Sequence, residues 1–276
     1  MKHPIAEADE RSPFGRLTAE EFYERHGVSQ GSSSFFNSRN LRNFTQWWIP
    51  LPSTAPVIGI VAVVHGYTVQ LTAVNIAKAG FAVCAIDHQG HGYSDGLVAH
   101  IPDVNPVVDD CISFFDSFRA WYPSSLPCFL YSESLGSAIA LLIHLRSAVG
   151  ASGWDGAVLN GTMCWISAKF KPPWPLEHLL WLAAAAVPTW QVVPTRGSIP
   201  EVSFKVEWKR QLAIASPNRP KGRPRATTAQ ELLRVCREVQ SRFEEITMPL
   251  LIVHGGDDVV CAMIGMRERC REEREG

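Results

Sequence analysis

The sequence predicts an α/β fold built on a mostly parallel sheet with helices on both faces. Three observations predict it. Residues 57–64 (VIGIVAVV) form an unbroken, β-branched apolar run of the kind buried on both faces of a parallel sheet. Similar runs alternate with helical patterns along most of the chain. One long stretch, 162–228, interrupts that alternation and reads as an insertion. With 276 residues, 46% of them apolar, and a net charge of −1, there is enough apolar material for a core. No overall field is present to recruit nucleic acid or an anionic membrane.

Residues 18–27 open with Thr18 and Glu21 at capping-box spacing and continue as a short polar helix. Residues 34–50 carry β-formers around an Arg-Asn turn, which reads as an edge hairpin or meander. The run 57–64 leads through a helical pattern at 71–78, stopped at Gly80, into a second buried strand at 81–86. These make a βαβ unit. A helix over 103–121, a strand at 128–131, a helix over 134–146 and a short strand at 157–160 extend it. After the insertion, a helix at 229–243 and a strand at 250–254 resume the order. The expected organisation is an N-terminal extension (1–33), a first core part (34–161), a cap insertion (162–228), a second core part (229–260) and a charged tail (261–276).

The cysteines are scattered singly, with no Cys-x-x-Cys pair, as expected of free thiols in a reducing compartment. The N-terminus has no apolar core of a secretory signal, and no apolar run approaches the length of a membrane span. The expected location is the cytoplasm, with peripheral membrane contact as an alternative.

The chemistry centres on Tyr131-Ser132-Glu133-Ser134-Leu135-Gly136, a small-x-Ser-x-Gly sequence between an apolar strand and a helix. A serine there stands on a tight turn with its hydroxyl projecting and the next amide, that of Leu135, free at the helix start. Small residues flank it because strand and helix backbones nearly touch. Gly136 meets that requirement, and Ser132 departs from glycine. His65-Gly66-Tyr67 follows the first central strand and fits a loop whose Tyr67 amide pairs with that of Leu135 over a developing oxyanion. His65 itself reads as structural. Asp87-His88-Gln89-Gly90-His91-Gly92 follows the second strand as a compact glycine turn. His88 and His91 lack an accompanying carboxylate or cysteine set, so no metal and no cofactor are expected. His254-Gly255-Gly256-Asp257-Asp258 supplies an acid, with Asp258 the better placed and Asp257 the alternative.

HGYT, DHQGHGYS, YSESLG and HGGDD occur here in an order that resembles the monoacylglycerol lipase family of α/β-hydrolases. The cap strings KFKPPWPLEHLL and AAVPTWQVVPT are similar to its plant members, the caffeoylshikimate esterases. The resemblance covers roughly residues 34–261. It implies an α/β-hydrolase fold and ester hydrolysis through an acyl-serine, with Ser134 as nucleophile, Asp258 as acid and the Tyr67 and Leu135 amides as oxyanion hole. The substrate would be a small lipid or hydroxycinnamoyl ester, the alcohol being glycerol, a lysophospholipid or shikimate.

Two departures qualify it. The segment after Thr68 is shorter than the family's. The family's last strand, Gly-x-x-His turn and final helix are not found, and all nine histidines lie at or before His254, so none carries over as the base. The expectation is a C-terminally truncated and weakly active or inactive chain, the alternative being a ligand-binding pseudoenzyme. In the insertion, Trp165, Phe170, Trp174, Trp181 and Trp190 are expected to roof the substrate pocket, with membrane contact as the second use. The basic stretch from Arg219 to Arg225 lacks interleaved aromatics and reads as a solvated loop, with no nucleic-acid partner.

Overall fold

A computed structural model describes residues 3–53, 55–65, 70–147, 153–167, 174–194, 199–216, 222–258 and 260–261. Its strands are β1 (Val28–Phe36), β2 (Arg42–Pro50), β3 (Gly59–Val64), β4 (Phe81–Ile86), β5 (Cys128–Glu133), β6 (Gly156–Asn160) and β7 (Leu250–Val253). They form one sheet in the order β1-β2-β4-β3-β5-β6-β7. β1 and β2 are antiparallel, as are β2 and β4, and every other pairing is parallel. The expected mixed, mostly parallel sheet is therefore what the chain forms.

The helices are α1 (Ala19–Arg25), α2 (Gln70–Lys78), α3 (Asn105–Arg119), α4 (Leu135–Ser147), α5 (Leu180–Ala186), α6 (Ile199–Ser203), α7 (Glu207–Ala215) and α8 (Ala226–Ser241). The capping box of α1 is made. The Glu21 amide donates to Thr18 Oγ1 at 3.2 Å, and the Thr18 amide to Glu21 Oε2 at 2.9 Å.

Burial explains why the central strands read as unbroken apolar runs. Along β3, Ile60, Ala62 and Val64 join a core that also contains residues of α3, α4 and α8, while Val61 and Val63 join a second core with residues of α1 and α2. Alternate side chains thus enter apolar layers on opposite faces. α4 is buried on all sides from Ser137 to Leu145, as a helix enclosed by neighbours must be. α3 presents one apolar stripe, with Val107, Cys111, Phe114, Phe115 and Phe118 inward.

Two expected boundaries shift. β1 opens at Val28, inside the segment read as an N-terminal extension, and its pairing with β2 runs from Val28↔Pro50 to Phe36↔Arg42. Its Ser32, Ser33 and Ser34 are exposed because this strand has a neighbour on one side only. α8 begins at Ala226, three residues before the expected start. The described residues of the insertion hold the short helices α5, α6 and α7, with Pro188 and Pro194 between α5 and α6 and Pro200 in the first turn of α6.

The insertion is pinned where it leaves and rejoins the core. The Gly161 amide donates to the Val253 carbonyl at 2.8 Å and the Met163 amide to the Ser134 carbonyl at 3.3 Å. At the other end Arg225 Nε donates to the Val98 carbonyl at 2.8 Å. Thr228 Oγ1 accepts the Ile101 amide at 3.0 Å and Glu231 Oε1 the Val104 amide at 2.9 Å. No helix among the described residues is long and apolar enough to cross a membrane.

Candidate active site

The parallel strands end along one edge of the sheet, where β3 and β5 lie side by side while their connections run to opposite sides. Such a switch in strand order opens a crevice at the carboxyl ends of the strands. Ser134 stands there, between β5 and α4, with φ of 52°. A non-glycine residue in this region carries strain on the order of 1–3 kcal/mol and persists only where its surroundings over-determine it. Here the Ser134 amide donates to the Asn160 carbonyl at 3.0 Å, and the Ser134 carbonyl accepts the Ser137 amide at 2.9 Å.

Close backbone approach dictates the flanking residues. A Cβ on Gly136 would overlap the Val64 carbonyl oxygen, so only glycine fits. Ser132, the departure from glycine, is fully buried, and its hydroxyl reaches the Val158 carbonyl and the Ser137 hydroxyl, each at 3.2 Å. The extra oxygen is therefore satisfied. Leu135 opens α4, so its amide belongs to the helix's first turn.

Beside the elbow, the buried His65 places Nε2 3.1 Å from Asp87 Oδ1 and stacks its ring on His88 with centroids 4.9 Å apart. Asp87 Oδ2 accepts the Tyr93 amide at 2.9 Å, and a Cβ on Gly92 would overlap this carboxylate. Gly90 (φ 71°) and Gly92 (φ 52°) make the turn compact. Burial holds the His88 pKa well below its ordinary value, and that of His91 lower as well. Among the described residues no three His, Cys, Asp or Glu side chains are arranged to hold a metal ion.

After β7, the two neighbouring carboxylates differ sharply. Asp258 Oδ1 accepts the Val260 and Cys261 amides at 2.8 and 2.9 Å, and its Oδ2 lies 3.4 Å from His254 Nε2. Asp257 points to solvent and meets the equally exposed Lys205 at 2.9 Å. Ser134 and Asp258 thus stand at the same edge of the sheet, separated in strand order by β6. His254, read only as part of a motif, has a side chain 1% exposed and a ring held between Asp258 and the Cys261 carbonyl.

Three more residues belong to this region that motif reading passed over. Tyr131 OH donates to Glu133 Oε1 at 2.9 Å, and Asn160 Nδ2 donates to the Tyr131 oxygen at 3.2 Å. Burial raises both the Glu133 and the Tyr131 pKa. A charged residue closing an otherwise apolar strand was the available signal.

Gly66, Tyr67 and Phe170 lie outside the described residues. The other four expected cap aromatics differ in burial. Trp165 packs partly buried against the core, whereas Trp174, Trp181 and Trp190 are 82%, 58% and 63% exposed. α5 turns Leu180 and Ala184, four residues apart, inward, which leaves Trp181 and Leu182 on its outer side.

The chain and its fold are similar to several known proteins. The family described as serine aminopeptidase, S33, matches residues 55–273. The chain is 31% identical over 256 residues to caffeoylshikimate esterase of Arabidopsis thaliana, covering 90% of this chain and 75% of that protein. It is 27% identical to a monoacylglycerol lipase of Mycolicibacterium smegmatis, over 78% of this chain and 75% of that protein. The fold superposes on a soluble variant of monoglyceride lipase from Saccharomyces cerevisiae with a TM-score of 0.71 at 16% identity, covering 88% of this chain and 82% of that one.

Proposed function

Because the chain belongs to the serine aminopeptidase, S33, family and is an α/β-hydrolase of the monoglyceride lipase and esterase type, we propose that it acts on carboxylic esters through Ser134. The observation that carries the reading is the strained Ser134 backbone, φ 52°, at the strand-helix junction beside the switch point. In this reading the Ser134 hydroxyl attacks the acyl carbon and the alcohol leaves, giving an acyl-serine that water then cleaves. The amides of Leu135 and Tyr67 receive the oxyanion and Asp258 is the acid. His65, Asp87, Gly90, His91 and Gly92 are scaffold for these groups.

No histidine follows His254 in the sequence, and the His254 ring is buried against Asp258. The base of the reaction is therefore unassigned. A pocket that binds an ester without cleaving it is the second reading, favoured by the same observation. The relatives support a fatty acyl or hydroxycinnamoyl ester as ligand. The exposed Trp174, Leu176, Leu179, Trp181, Leu182 and Trp190 support contact with a lipid surface through the cap.

Labelling with a fluorophosphonate tests the nucleophile. The expected result is covalent modification that disappears in Ser134→Ala. Unmodified wild-type protein under prolonged exposure would favour the binding reading.

A further inference from the structure

Around Ser134 the hydrogen bonds close into a circuit that ester hydrolysis, as read above, does not use. Glu133 is the last residue of β5, and its side chain shares a face of the strand with Tyr131, two residues earlier. The circuit runs from Glu133 Oε1 to the Tyr131 phenol (2.9 Å) and from the phenol to Asn160 Nδ2 (3.2 Å). From Asn160 it returns through that residue's carbonyl to the Ser134 amide (3.0 Å), and Ser134 is bonded to Glu133. Glu133 and Asn160 are also register partners across β5 and β6, so the circuit spans one strand pair.

A part-buried carboxyl at the end of a central strand costs stability unless its partners repay the lost hydration. An apolar residue would be the cheaper occupant, and the donor Glu133 engages is the phenol that Asn160 also grips. Tyr131 and His65 are the titratable groups that face it, and Thr72 of α2 faces the phenol. The part of the circuit under strain is Ser134.

We infer that Glu133 is a positioning residue for Ser134: through the Tyr131 phenol and the Asn160 side chain it fixes the carbonyl that holds the Ser134 amide. Its functional meaning rests on Ser134 being the nucleophile. The circuit itself is measurable without turnover.

The test is amide hydrogen exchange at single-residue resolution on the full chain, comparing wild type with Tyr131→Phe, Glu133→Ala and Glu133→Gln, with Tm recorded for each. Tyr131→Phe and Glu133→Ala are expected to speed exchange at Ser134 by about tenfold or more while Val63 on β3 stays as protected as in wild type. Glu133→Gln keeps an oxygen that accepts from the phenol, and it is expected to restore Ser134 protection to within about threefold of wild type. Should Glu133→Ala fail to fold, Tyr131→Phe, which removes one oxygen, carries the comparison. Ser134 exchange unchanged in Tyr131→Phe would overturn the inference, and so would equal acceleration at Val63. An absence of fluorophosphonate labelling in wild type would sink the nucleophile reading and leave this exchange pattern standing.

Discussion

Gly136 lies so close to Val64 that a single added methyl would overlap the carbonyl oxygen closing β3. The turn at Ser134 and the central strand are thus locked to each other through backbone alone.

Gly136→Ala forces strand and helix apart and is expected to destabilise the chain by about 3 kcal/mol or more. Gly153→Ala, where a Cβ meets open space, is the control and should stay within about 0.5 kcal/mol of wild type. Urea denaturation midpoints decide the comparison.

Burial lowers the pKa of His88 from its ordinary 6.5, and the neighbouring His65 and His91 add to the effect. The native state then binds fewer protons than the unfolded chain between the lowered pKa and about 6.5, so stability falls as pH drops through that window. His91, His26, His100 and His144 shift in the same direction. Replacing His88 by Asn should flatten the dependence of stability on pH below 6.5, measured as Tm from pH 7 to pH 5. Glu133 acts with the opposite sign. Its raised pKa makes stability fall as pH rises through it, and Glu133→Gln should remove that component.

Asp110 on α3 is 6% exposed and accepts from Asn37 and Asn43 at 2.9 Å each and from Arg39 at 2.6 Å. It ties the β1–β2 turn to the helix. Asp110→Ala leaves these donors without their acceptor and is expected to cost about 3 kcal/mol. Arg39→Ala should cost less, about 1–2 kcal/mol, because two neutral donors still hold the carboxylate. Chemical denaturation of both variants ranks them.

Asp258→Ala should speed amide exchange at Val260 and Cys261, since its Oδ1 accepts from both. The same substitution at Asp257 should leave exchange and Tm unchanged, because the pair with Lys205 is exposed on both sides. If Ser134 labels with a fluorophosphonate, only Asp258→Ala should slow the labelling.

Turnover of p-nitrophenyl butyrate is expected to depend on Ser134: Ser134→Ala should lose it, and turnover unchanged in that variant would remove Ser134 from the reaction.

Much of the architecture was legible because local chemistry and tertiary role coincide. The strand Phe81–Ile86 begins and ends where the sequence places it, between the Gly80 turn and Asp87. Thr18 and Glu21 announce their capping box within four residues. The turn at Ser134 could be placed because the close approach of strand and helix needs small residues at fixed spacing. The first half of β1 could not, since an edge strand rich in exposed serines carries no apolar alternation. Glu133 and Asn160 meet only through the register of β5 on β6, which no short-range pattern encodes. Tryptophan content marked the cap but not which face of α5 its rings would occupy, and Leu180 and Ala184 took the inner one.

The clamps at both ends of the insertion make the cap a cassette. Its entry is fixed at Gly161 and Met163 and its return at Arg225, Thr228 and Glu231, by contacts that involve none of α5, α6 or α7. The scaffold can therefore keep the edge that bears Ser134 while the intervening segment changes in length and composition. Selection for a new ligand would then act on this segment, limited chiefly by the packing of α5 on α8.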